Sequence, residues 1–214
     1  MSSQLLIVLF KYVLLASSKY NIDSSHSESH SMNILHYVNE GYNAQLADHP
    51  ILAEQKNVIY CAAILHDMCD KKYMSEEQGL NEICEFLTEK TSLRLEEIEA
   101  TKIIIQTMSY SKVKKNGFPL NLGIYEQAYH LVRESDLLCS YDFDRCIVYG
   151  INKDEQSRTF IDAFVDAEEL FENRVFKYRS DGLLLSRYAL SRDTTLTKLA
   201  QLQIRNWKQI IYNK

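Results

Sequence analysis

Asn57-Val-Ile-Tyr-Cys-Ala-Ala-Ile-Leu-His66-Asp67 is an apolar run that ends abruptly in a histidine and an aspartate side by side. A helix that is apolar nearly all round belongs at the centre of a fold, which predicts a central helix over residues 57–68. An imidazole and a carboxylate at its buried end need partners, because a polar group taken out of water without a hydrogen bond or a counter-charge is costly. A shared metal ion satisfies both at once.

Outward from this run the chain reads as helix. It has 214 residues with only two prolines and six glycines, and its long segments show apolar spacing near 3.6 rather than 2. Helices are expected over residues 5–16, from near His26 through Val38, over 75–88, 92–108 and 124–150, and over 154–178 and 196–212. Residues 44–50 read as a link and 110–123, with Asn116-Gly-Phe-Pro119, as the clearest loop. Ser180-Asp-Gly182 and Ser191-Arg-Asp193 read as turns. The expected architecture is an all-α single domain, 1–214, with a core over 1–150 and a C-terminal helical scaffold over 151–214.

Composition narrows the function. At 46% apolar content the chain can bury a substantial core. A formal charge of -5 with scattered basic residues argues against a duplex nucleic-acid surface, which needs a basic stripe. The five cysteines lack metal-type pair spacing and mostly sit in apolar helical runs, so they read as reduced core residues of a cytoplasmic (intracellular) protein. The run over 5–16 imitates a signal segment. No positive residue precedes it, Lys11 interrupts it, and about 12 residues fall short of the roughly 20 that span a bilayer. A first core helix is the better reading, with no membrane partner; the oligomeric state is left open.

Two further stretches, and the continuation of the first, share its character. In Asp23-x-x-His26-x-x-x-His30 the two histidines share a face if one helix includes both. The stretch Ala63-Ile-Leu-His66-Asp67-x-x-Asp70-Lys-Lys-Tyr73 continues the central run into a polar exit. In Arg133-Glu-Ser-Asp136-Leu-Leu the aspartate lies on the apolar stripe of Ala128 and Val132. Each has a plainer reading: His66 as a helix-end cation, His30 as a surface residue, Asp136 as a partner of Arg133.

Taken together and in order, these stretches resemble the HD-domain superfamily of metal-dependent phosphohydrolases, over roughly residues 5–150. The family's motif is a histidine, a His-Asp pair and a distant aspartate. The resemblance implies an HD-type helical bundle in which His30, His66, Asp67 and Asp136 bind one divalent metal ion (Mn, Co, Ni, Fe, Mg or Zn). It also implies a small phosphorylated substrate of nucleotide type, cleaved as a phosphomonoester or phosphodiester by water. Glu134 and Ser135 depart from the family's usual Asp-Ala before the last aspartate. His26 and Asp70 are the candidate catalytic groups, Asp70 as general base, and Lys71, Lys72 and Lys112 are candidate phosphate contacts. For His26 and Asp70 a solvated helix start and an ordinary helix-end charge are the competing readings. His130 precedes Asp136 by six residues, about 240° around a helix, and is expected to point elsewhere, which favours a single metal. The alternative function is a noncatalytic metal-binding module with a regulatory or interaction role.

Overall fold

The computed structural model describes residues 3–23, 26, 28–120, 122–152 and 158–212. Among them are ten α-helices, three short 3-10 turns and no strand, so the all-α expectation holds. None of these helices is long and apolar enough to cross a membrane. Contacts gather into two compact units, Met1–Asp136 and Leu137–Lys214.

In the first unit, α1 (Ser3–Tyr20), α2 (Glu28–Gln45) and α5 (Leu95–Thr107) pack around α3 (Lys56–Leu65), and α4 (Glu76–Lys90) packs on α5. The centre is where the sequence puts it. Every residue of α3 from Val58 to Leu65 is buried, at roughly 1.5–3 kcal/mol for each large aliphatic side chain removed from water. The inner stripe of α2 is His30, Ile34, Val38 and Tyr42. Beside His30, the Ser31 hydroxyl donates to the Ile64 carbonyl at 3.0 Å. That carbonyl belongs to the last turn of α3, where backbone acceptors lack helical partners, so the bond both satisfies it and fixes α2 against the end of α3.

The structure differs from the sequence reading in several places. The central helix stops at Leu65 rather than at Met68, and residues 66–69 form turns. A second helix that includes His26 is not formed: α2 begins at Glu28. Residues 110–123 are not wholly a loop, since Tyr110–Asn116 forms α6 and ends at Gly117, whose φ of 73° is a left-handed conformation that favours glycine. The glycine signal was read as loop when it marks a helix end. The run over 124–150 divides into α7 (Glu126–Cys139) and α8 (Phe143–Asn152). Part of the expected helix over 154–178 lies outside the described residues; its remainder is α9 (Phe160–Asn173) and a 3-10 turn, Val175–Lys177.

In the second unit, α10 runs Arg187–Tyr212, so Ser191-Arg-Asp193 is helix and not a turn. Asp193 is buried there, accepts a hydrogen bond from the Tyr141 hydroxyl and lies 3.6 Å from Arg179. Distant partners override its local turn preference. Helices α8 and α9 approach at Gly150, where a Cβ would lie 3.0 Å from that of Ala163, and Phe143 packs edge-on against Phe164 and Phe171. Asp144 takes the Trp207 indole N–H at 2.7 Å and Asp142 caps the Arg145 amide.

Gly79 of α4 sits against the turn that follows α3. A Cβ there would fall 2.6 Å from the Cys69 Cβ and 2.8 Å from its Cα. Replacing a helical glycine by alanine ordinarily gains about 1 kcal/mol, whereas forcing an atom against backbone costs about 1–3 kcal/mol. Gly79→Ala is therefore expected to destabilise the protein by up to about 2 kcal/mol in urea unfolding, against the sign of helix propensity.

Candidate metal centre

Three elements bring four side chains to one point: α2 supplies His30, the turn after α3 supplies His66 and Asp67, and α7 supplies Asp136. The two imidazole Nε2 atoms are 3.2 Å apart. Asp67 straddles them, with Oδ2 3.3 Å from His30 Nε2 and Oδ1 3.3 Å from His66 Nε2. Asp136 Oδ1 closes the set, 3.5 Å from His30 Nε2 and 3.6 Å from His66 Nε2.

These separations fit a metal shell. Donors about 2.1 Å from a common ion lie about 3.0 Å apart on an octahedron and about 3.4 Å apart on a tetrahedron. Two nitrogens and two carboxylates suit borderline divalent ions, and the donor set does not select among them. His30, His66 and Asp136 bring their donor atoms within 4.8 Å of one another and by themselves could hold a metal ion, and Asp67 adds its two oxygens across the histidine pair. The His66 Nδ1–H donates to the Ala63 carbonyl at 2.9 Å. This bond satisfies another end carbonyl of α3 and aims the Nε2 lone pair of the neutral ring at the cluster, as an outer-shell partner does for a ligating histidine.

The electrostatics favour positive charge at the shared point. Burial by itself would lower the His66 pKa, but the Asp67 and Asp136 carboxylates push it up to about 9. Against the burial that would raise them, Asp67 is held low by the charges of His66 and His30, and Asp136 is held well below its ordinary range by hydrogen bonds from the same two rings. Protons on the imidazoles or a cation between them answer the same field. The histidines form the floor, with side chains 3% and 5% exposed, and the carboxylates form the rim at 15% and 24%.

The other predicted residues divide. His26 lies beside His30, ring centroids 6.4 Å apart, and its Nε2 is 3.2 Å from Lys72 Nζ. Asp70 does not continue the face of Asp67, because the helix has ended; its Oδ1 accepts the Lys72 backbone N–H at 2.9 Å. Lys71 is exposed. Lys112 is bound to Glu76 and to the Gln106 carbonyl. His130 contacts Arg133, Phe118 and Tyr129, so it turns from the cluster as its position on α7 requires. Two residues that sequence reasoning quoted without a role also stand here: the Tyr73 hydroxyl donates to Asp23 and lies 3.4 Å from His26 Nδ1. Their only local signal is the spacing Asp23-x-x-His26, since Tyr73 is fifty residues away from Asp23.

Compared with family models, with characterised proteins and with solved structures, the chain has no significant match.

His130 provides a pH test of this end of α7. Burial and the neighbouring Arg133, itself buried and stacked 4.8 Å over Phe118, lower His130 to about 4 from 6.5. A depressed histidine lets the unfolded chain bind the proton first, so its contribution is complete above pH 6.5 and is lost as pH falls towards 4. Urea unfolding measured across that window is expected to show a steeper acid loss in the wild type than in His130→Gln. Equal slopes would mean that His130 titrates normally.

Proposed function

We propose that this protein is an HD-type metal-dependent phosphohydrolase that uses one divalent ion to hydrolyse a phosphomonoester or phosphodiester of a nucleotide or related small metabolite. The observation that carries this reading is the convergence of His30, His66, Asp67 and Asp136 at 3.2–3.6 Å from three separated segments. A bare ion pair needs one partner, whereas this set spends four polar side chains on one point at a buried helix end.

A divalent ion held there supplies Lewis acidity, activating water and offsetting charge on the phosphoryl group. The chain's own residues do the rest. His66, tied to Ala63, presents one nitrogen in a fixed direction, and His30 is held from behind by the Ser31 bond on the same helix. The more exposed carboxylates leave the approach to substrate on the rim side. Asp70 is the candidate general base and His26 the candidate group at the substrate, both near the exit of the turn that carries Asp67. The reading places the enzyme in the cytoplasm, acting on small phosphorylated compounds.

A noncatalytic metal-binding module is the second reading, favoured by one observation: Asp70 and Lys112 already have structural partners in Lys72 and Glu76. Phosphate release decides between the two. The protein would be offered nucleoside mono-, di- and triphosphates, cyclic nucleotides and sugar phosphates with Mn²⁺, Co²⁺, Ni²⁺, Mg²⁺ or Zn²⁺. The expected result is metal-dependent release that falls in Asp67→Ala by more than the roughly 10- to 100-fold typical of losing an outer-shell partner. Stoichiometric metal binding without release from any substrate would favour the module, and absence of metal binding would remove both readings.

A further inference from the structure

Next to the four-residue cluster is a second set of polar groups built from two segments. Lys72 Nζ lies 3.2 Å from His26 Nε2 and 3.6 Å from Asp70 Oδ2. On the other side of the same ring, His26 Nδ1 faces Asp23 Oδ1 at 3.5 Å and the Tyr73 hydroxyl at 3.4 Å, and that hydroxyl donates to Asp23 Oδ2. With an Nδ1–H turned to the carboxylate, Nε2 is the ring nitrogen that can accept from the ammonium. The order of contacts is Tyr73, Asp23, His26, Lys72, and the ring that joins them lies beside His30.

A lysine stem ordinarily samples many rotamers, and a mobile amine loses much of its attraction for an anion in ordering itself. Here the ammonium is held by an imidazole and a carboxylate while its side chain stays 42% exposed, against 18% for His26 beneath it. An ammonium with three donors can trade the 3.6 Å carboxylate for a phosphoryl oxygen while the imidazole keeps it in place. Two negative and two neutral ligands leave a divalent ion with no net charge for a phosphate, so a fixed cation beside the cluster supplies what the ligand set lacks.

We propose that Lys72 and His26 form one phosphoryl-binding arm beside the metal centre, and that Asp23 and Tyr73 are positioning residues that set its pose through the His26 ring. This inference rests on the metal-centre reading above and goes further by singling out Lys72 among the candidate phosphate contacts and naming the groups that fix its pose. Tyr73 and Asp23 touch no substrate; their effect passes through Lys72.

The test is binding of inorganic phosphate to the Co²⁺-loaded full-length protein by calorimetry, with the visible Co²⁺ spectrum as an independent record of the metal shell. Lys72→Met is expected to weaken phosphate binding roughly tenfold or more, with the Co²⁺ spectrum unchanged and Lys72→Arg restoring part of the loss. Tyr73→Phe, which keeps the ring, is expected to weaken it by roughly three- to tenfold in the wild type and not at all in the Lys72→Met background. A Tyr73 that serves only the fold would cost the same in both backgrounds, which overturns the positioning role. Unchanged phosphate affinity in Lys72→Met with Co²⁺ still bound overturns the arm and leaves the metal centre standing. Failure of the wild type to take up Co²⁺ overturns the metal-centre reading and this inference with it.

Discussion

The first unit depends on how the buried end of α3 is satisfied. A helix that stops inside a core leaves carbonyls with no intrahelical partner, and neither a glycine cap nor solvent is at hand to take them. Ser31 takes the Ile64 carbonyl and the His66 ring takes that of Ala63. Both donors then lie at the cluster: Ser31 follows His30 on α2, and His66 turns its second nitrogen inward. Closing the helix end and building the site are one act. A change at either donor would leave a buried carbonyl exposed to the core and would move a member of the cluster at the same time.

The same economy governs charge. Two carboxylates would not remain ionised beside so much apolar surface without positive charge between them, and the His66 imidazole would not remain protonated without the carboxylates. The high pKa of His66 and the low ones of Asp67 and Asp136 are two sides of one balance. A cation held between the four side chains would answer the same field as those protons. Away from this point polar groups serve the fold: Asp193 holds Tyr141, Asp144 holds Trp207, and Arg133 lies over Phe118.

Much of this was legible in order along the chain. The apolar run over 57–65 has only one stable place, the interior, and a histidine and aspartate at its end therefore had to be partnered. Asp136 was legible as a member of an apolar stripe on another helix, and His30 as one of two histidines a helical turn apart. What sequence reading got wrong followed from taking local signals as final. Asn116-Gly117 was read as loop although it ends α6, and Ser191-Arg-Asp193 as a turn although a buried tyrosine draws Asp193 into α10. The central helix was extended to Met68 although it stops at Leu65.

By itself the sequence determined the all-helical class, the burial of α3 and the polar pair at its end, because helical period and side-chain chemistry are local properties. Only the tertiary structure decided that His30, His66, Asp67 and Asp136 meet within a few ångströms, and that Tyr73 reaches across fifty residues to Asp23 and His26. The reason is geometric. Convergence depends on where one helix crosses another and on the turn that follows Leu65, and the packing of α2 against α3 and the approach of Asp136 to the two histidines set these rather than the order of residues within any one helix.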